Sequence, residues 1–322
     1  MQDYPSVRQG KDMRTANNEN SIFMCKGDSR NMITLKYNGA EMTIAELGAE
    51  MRSFTTADGR DWIWRGSEKS WKSSAPVLFP AIGALKDGGA TIAGDFYAVP
   101  RHGFAKFQMF KVLEQGEDYI SLILEQNDET KKVYPFDFAF IVTYRFLENG
   151  FEARFTVENH SSREMPFLVG GHPAFNCPMK DGEQFEDYIL HFEKEETVGT
   201  TLCGGGLLSD VEEVDFGEDH RTLALNYHFF DTHDTYIFSG LNSRKVDLIH
   251  KDTRKGLRFS YDMPVLAIWT MPNKCAPYVC IEPWQGCPAY RNETGRFEDK
   301  PYHVSLKAGE AHCCGYRMEI LD

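Results

Sequence analysis

The sequence predicts an all-β fold of large antiparallel sheets packed face to face. Period-2 alternation of apolar and polar residues, broken by turn residues, recurs from Met32 to the C-terminus. Long apolar stretches with a 3.6-residue period are nearly absent. One segment also carries the full signature of a hairpin: FAFIVTYRF and FEARFTVE flank Glu148-Asn149-Gly150, and Phe151, Ala153, Phe155 and Val157 alternate with Glu152, Arg154, Thr156 and Glu158. One face of that hairpin must be buried.

Taken in order, strands are expected at residues 32–37, 41–47, 61–64, 91–99 (around a Gly94-Asp95 turn), 107–113 and 119–126, ahead of the hairpin. After it they are expected at 187–192, 236–239, 246–250, 257–261, 266–270, 278–281, 302–306 and 313–320, with short helical turns at 128–133 and 181–185. So many strands exceed one small sandwich or barrel. Two large sheets, with room for a third smaller one, accommodate them. At 322 residues and 42% hydrophobic the chain can bury a substantial core, and no linker, short repeat or low-complexity segment divides residues 32–322. Residues 1–31 are polar and aperiodic and read as a disordered or loosely docked extension.

The formal charge of −13, with Lys and Arg scattered, argues against a nucleic-acid partner, which would need a basic face. No apolar run approaches the ~20 residues that span a bilayer, so no membrane partner is expected. The first thirty residues lack a signal-peptide core, and a cytoplasmic location follows as the expectation. The cysteines at 25, 177, 203, 275, 280, 287, 313 and 314 form no paired C-x-x-C. A Cys275, Cys280, Cys287 metal site fits no common zinc spacing, and reduced cysteines packed as small hydrophobes are the expected state.

Several segments carry candidate chemistry. In FLVGGHPAFN, residues 167–176, an apolar strand ends in Gly170 and Gly171, which permit close backbone approach, and Pro173 stiffens the loop that presents His172. A core histidine satisfied by a carbonyl is the competing reading; the Gly-Gly and Pro setting favours function. In YVCIEPWQGCP, residues 278–288, Glu282 leaves β-prone sequence before Pro-Trp, and a carboxylate there must be paired, neutralised or functional. Trp284 offers the apolar face that sugar rings use, against the alternative of a core tryptophan. His102 in VPRHGFAKF again follows a strand and precedes a glycine. Lys86 lies in APVLFPAIGALKDGG, where a solvated charge is the plain alternative. In FFDTHDTYIF, Asp231, His233 and Asp234 precede an apolar strand, and turn capping by one aspartate competes with ligand binding.

Taken together, LFPAIGALKDG, VPRHGFAK, YPFDFAF, VGGHPAFNCP, HDTYIFSGLNSR, LAIWTMP and CIEPWQG resemble the aldose 1-epimerase (galactose mutarotase-like) superfamily, in its LacX-type branch. They are spread in order over the span from Met32 to the end, so their sum is specific where each alone is weak. The resemblance implies a β-supersandwich and interconversion of the α and β anomers of a free aldose, an aldohexose being expected, with no metal and no organic cofactor. It places the catalytic acid on His172 and the base on Glu282, and puts His102 and Asp234 at positions that hold sugar hydroxyls. Ala84 stands where many relatives have Arg, which leaves Lys86 as the nearest basic candidate, and Lys106 replaces an Arg common after H-G-F-A. At unperturbed values of about 4.3 and 6.5, Glu282 would start ionised and His172 protonated.

Other readings remain open on the sequence. A hexose 6-phosphate substrate would use Arg101, Lys106 and Lys86 as a clamp. A non-catalytic carbohydrate-binding protein would use the same groove. A glycoside hydrolase would need a second carboxylate beside Glu282, with Asp231 and Asp234 as candidates. The chain is expected to be a monomer or homodimer.

Overall fold

The computed structural model describes residues 31–322; apart from Asn31, the extension expected at 1–31 lies outside the described residues. The architecture is dominated by two antiparallel sheets, as the alternation required. The larger has nine strands in the order 222–224, 188–192, 245–250, 256–261, 311–321, 150–159, 138–147, 119–125 and 111–115. The second runs 235–239, 265–269, 278–285, 169–171 and 77–78, with Ala174–Asn176 also pairing onto Tyr278–Gln285. A three-stranded sheet, Met32–Tyr37, Ala40–Ala45 and Glu50–Thr55, closes one side.

The hairpin forms the centre of the large sheet. Phe138–Leu147 pairs with Gly150–Asn159 along its whole length, and Phe151, Ala153, Phe155 and Val157 are buried while Glu152, Arg154 and Thr156 are not. The turn itself is Glu148-Asn149, and Gly150 already belongs to the strand. A Cβ at Gly150 would meet the Met318 carbonyl of the next strand at 1.8 Å, so glycine is required there by the neighbour.

The sheets meet through aromatic side chains, which supply large buried areas and preferred ring geometries. Phe79 stacks on Phe140 at 4.8 Å, and Phe175 meets Phe259 edge-on at 5.8 Å. The small sheet is tied in by Phe54 against Phe151 at 5.0 Å and by the Tyr144 hydroxyl, which donates to the Ala49 carbonyl at 2.8 Å.

Some expected elements shift. Residues 61–64 form only isolated bridges, Asp61 to Thr55 and Ile63 to Phe175. The strand expected at 107–113 is Lys111–Gln115, because Ala105–Phe107 coils into a 3-10 turn. The strand expected at 278–281 continues through Glu282 to Gln285. Proline is tolerated at 283 because the neighbouring ladder, which pairs Val169 with Gln285 and Gly170 with Trp284, stops before it. One helix was not expected: Tyr227–His233, whose Asn226 side chain accepts from the Phe229 N–H at 2.9 Å. Its aromatic residues concealed it as β-prone sequence. No helix among the described residues is long and apolar enough to cross a membrane.

Candidate active site

Strand register brings the two expected proton-transfer groups together. Tyr278–Gln285 pairs on one edge with two short strands, Gly170 opposite Trp284 and Ala174 opposite Cys280, in one continuous register. That register sets His172, in the link between the short strands, opposite Glu282. The link is held down by hydrogen bonds from the His172 N–H to the Pro76 carbonyl at 3.0 Å and from the Ile281 N–H to the Pro173 carbonyl at 3.2 Å. His172 Nε2 lies 3.2 Å from Glu282 Oε2, and the two side chains are 12% and 2% exposed.

The glycines before His172 act through close approach and not through a left-handed backbone. A Cβ at Gly170 would sit 2.8 Å from the Trp284 ring, and one at Gly171 would sit 2.8 Å from Tyr316. Gly171 thus lets this strand lie on the nine-stranded sheet, and side-chain volume there would lift His172.

The pair sits in a cavity of about 450 Å³ lined by residues that include Trp71, Arg101, His102, Lys106, Asp234, Trp269 and Trp284. Burial and the Lys106 charge, with a smaller push from Arg101, hold the His172 imidazole at about 3. Burial pushes the Glu282 carboxyl well above the usual carboxylate range; Asp234 adds to that, and Arg101 and the nearby Trp284 indole oppose it. Both shifts disfavour charge. Burial thus works against the ionised Glu282 and protonated His172 expected from ordinary values, while their direct contact favours that pair. Glu282 Oε2 and His172 Nδ1 have no hydrogen bond of good geometry within the protein, nor has Trp284 Nε1.

The remaining expected residues divide. His102, at φ 64°, lines the cavity, and its ring centroid lies 5.7 Å from that of His172. Its Nδ1 accepts from the Gly83 N–H at 3.1 Å, and its Nε2 lies a long hydrogen bond, 3.5 Å, from Arg101 Nε. Burial keeps it uncharged, with Lys106, His172 and Arg101 acting in the same direction.

Asp234 follows the helix Tyr227–His233 with φ 68° and caps it through its N–H to the Phe230 carbonyl. It is both a capping position and a cavity residue, its carboxylate accepting from the Thr235 hydroxyl at 2.7 Å and the Trp269 indole at 3.3 Å. Trp284 also lines the cavity and is nearly fully buried.

Lys86 is not brought in. Its Nζ donates to the Glu293 carbonyl at 2.7 Å, and the basic side chains at the cavity are Arg101 and Lys106. Asp231 is also elsewhere, accepting from the Asn273 N–H at 2.6 Å. Sequence reasoning missed Trp71, whose ring lies 4.8 Å from that of His172, and Trp269, which meets His172 edge-on at 5.6 Å. A lone tryptophan inside the polar run SEKSWKSS was the available signal for Trp71. The cysteines of the described residues are all free, Cys177, Cys280, Cys287 and Cys314 being buried.

Comparison with known proteins finds relatives along most of the chain. A profile of the family described as aldose 1-epimerase matches residues 31–318. The LacX protein of Lactococcus lactis subsp. lactis is 32% identical over 299 residues, covering 90% of this chain and 99% of that one. A galactose mutarotase related enzyme from Lactobacillus acidophilus superposes with a TM-score of 0.84 at 31% identity, over 90% of this chain and 97% of its own. A galactose mutarotase-like protein from Lactobacillus casei gives 0.83 at 30%, over 90% and 100%.

Proposed function

The chain belongs to the aldose 1-epimerase family, and on that premise we propose that it interconverts the α and β anomers of a free aldose by acid-base ring opening at His172 and Glu282. The family makes it an isomerase acting on carbohydrates. The observation that carries the finer reading is the 3.2 Å contact between His172 and Glu282 at the cavity. The anomeric hydroxyl and the ring oxygen share one carbon, so the groups that deprotonate one and protonate the other must stand close together.

The pair contains one proton in either tautomer, which suits this chemistry. Entry of the sugar supplies what the buried pair lacks. The anomeric O–H donates to Glu282, stabilising the carboxylate, while the ring oxygen accepts from His172 Nε2–H, stabilising the imidazolium. The resting proton crosses the short contact from Glu282 to His172 as these bonds form. Glu282 then removes the hydroxyl proton as His172 delivers one to the ring oxygen, and the C1–O5 bond breaks. The aldehyde turns about C1–C2 and closes from its other face with both protons returned. The His102 imidazole and the Asp234 carboxylate hold hydroxyls, and Trp284 and Trp71 face the C–H side of the ring.

The test is proton NMR of freshly dissolved α-D-glucose and α-D-galactose with the wild type, His172→Asn and Glu282→Gln. The wild type should hasten the approach to the same anomeric equilibrium, and each variant should lose about 10²- to 10⁴-fold. A wild type without effect on any aldose, or variants with full activity, would overturn the reading. Release of reducing sugar from glycosides would instead indicate a hydrolase using Glu282 with Asp234, the other carboxylate at the cavity.

One observation favours a second substrate class. Arg101 and Lys106 line the cavity, and neither forms an ion pair with a carboxylate among the described residues. An anionic sugar such as a hexose 6-phosphate would give them a partner. Comparing kcat/KM for glucose and its 6-phosphate decides between the two: a large preference for the phosphate selects the anionic class, and its absence selects the neutral one.

A further inference from the structure

We propose that the floor of this cavity is also a binding site for a soft divalent transition metal such as Zn²⁺, held by His172, Cys280 and Glu282 in competition with the sugar. One ligand atom from each of the three lies within 4.8 Å of the others. Imidazole, thiolate and carboxylate are the donor set that zinc prefers, and three protein ligands leave a fourth position toward the cavity.

The arrangement follows from the same register that builds the pair. Cys280 and Glu282 are two residues apart on one strand and so project to the same face. His172 enters from the paired strand opposite Glu282. The 3.2 Å separation of His172 Nε2 and Glu282 Oε2 is close to the spacing of two ligands on one tetrahedral ion, and bringing in the sulfur needs only a side-chain adjustment. Glu282 Oε2 has no protein hydrogen bond of good geometry, so coordination displaces none.

Charge decides whether a cation can stay beside Arg101 and Lys106. Thiolate and carboxylate together cancel the charge of a divalent ion, so the occupied site is neutral. Binding releases one proton from the Cys280 thiol and one from the His172–Glu282 pair, with no redox step. Reduced cysteines packed as small hydrophobes are the state expected from the sequence, and Cys280 and Cys287 are free and buried while Cys275 is free and exposed.

The site is tested without sugar, which separates it from the epimerase reading on which only the competition depends. Co²⁺ titrated into the reduced full-length protein should bind one to one, with a near-ultraviolet thiolate-to-cobalt charge-transfer band. That band should vanish in Cys280→Ser and Cys280→Ala and persist in Cys313→Ser, an exposed thiol. By calorimetry, Zn²⁺ affinity should fall about 100-fold or more in Cys280→Ser and Glu282→Gln. Circular dichroism confirms that each variant scored is folded. Absence of a one-to-one complex, or a band that survives both Cys280 substitutions, overturns the site. Simultaneous binding of cobalt and an accepted sugar overturns the competition. A protein that binds cobalt as described and epimerises nothing keeps this inference and loses the other.

Discussion

Lys106 bears a cost that only function accounts for, and removing its charge should stabilise the protein. It lies in the 3-10 turn Ala105–Phe107, with its ammonium 5.0 Å from the Phe107 ring centroid, and forms no ion pair with a carboxylate among the described residues. Burial, together with the Arg101 charge, brings it from the usual 10.5 to about 8, against a smaller opposite pull from Glu50. Retaining the charge in the fold at that depression costs about 3 kcal/mol. Because the side chain is only partly buried and water reaches the cavity, about 1–2 kcal/mol is the realistic figure. Lys106→Met keeps the stem and removes the charge, so at about pH 7 it should be more stable than the wild type by that amount. The folded value lies below the unfolded one, so the penalty is full below about pH 8 and disappears as the unfolded lysine also loses its proton. The advantage of Lys106→Met should therefore shrink between about pH 8 and pH 10.5. Urea denaturation of both proteins across this range measures it. A destabilised Lys106→Met, or a difference that does not change with pH, would refute the reasoning.

The same residue makes a pH prediction for binding: if the substrate is anionic, KM should rise as pH passes about 8 and Lys106 loses its proton, while KM for a neutral aldose stays level across that point. Steady-state kinetics on both sugars tests it. On the acid side, because the His172 imidazole is held at about 3 in the free protein, kcat/KM should show no midpoint near the ordinary histidine value, and a midpoint near 6.5 in a protein still folded by circular dichroism would contradict that shift. Gly171→Ala should cost about 1–3 kcal/mol in denaturation and lower kcat, since its Cβ would meet the Tyr316 ring at 2.8 Å and displace His172; an active variant of wild-type stability would show that the close approach is unimportant.

How far the fold could be read in advance depended on strand length. The hairpin strands are ten residues long with one buried face, so their alternation is visible. Val77–Leu78, Val169–Gly171 and Ala174–Asn176 are two or three residues long and almost wholly buried, and no period can be read in so short a run. Yet those short strands carry His172 and set its register. The motif surrounding the histidine was legible because its glycines and proline are unusual residues for a strand; the pairing that uses them was not.

The site shows the same division between residue identity and environment. His172, Glu282, His102, Asp234 and Trp284 could be named from the sequence, and all of them reach one cavity. Lys86 could not be told from Arg101 and Lys106, because any lysine in a loop reads as a solvated charge until a partner is seen, and its partner proved to be the Glu293 carbonyl. The protonation state was invisible for a related reason. Ordinary values describe groups in water, and they make Glu282 the anion and His172 the cation. Burial opposes that preference by penalising both charges at once, and a proton can pass across the direct contact without changing the number in the pair. In the proposed mechanism the hydroxyl and ring oxygen of the substrate supply the polarity that burial withholds. On this account the unpaired cations Arg101 and Lys106 have a second effect: they oppose the imidazolium until an anion or a charge-balancing ligand arrives. One placement of charge would thus both disfavour the imidazolium and give an anionic sugar a partner, if that is the substrate.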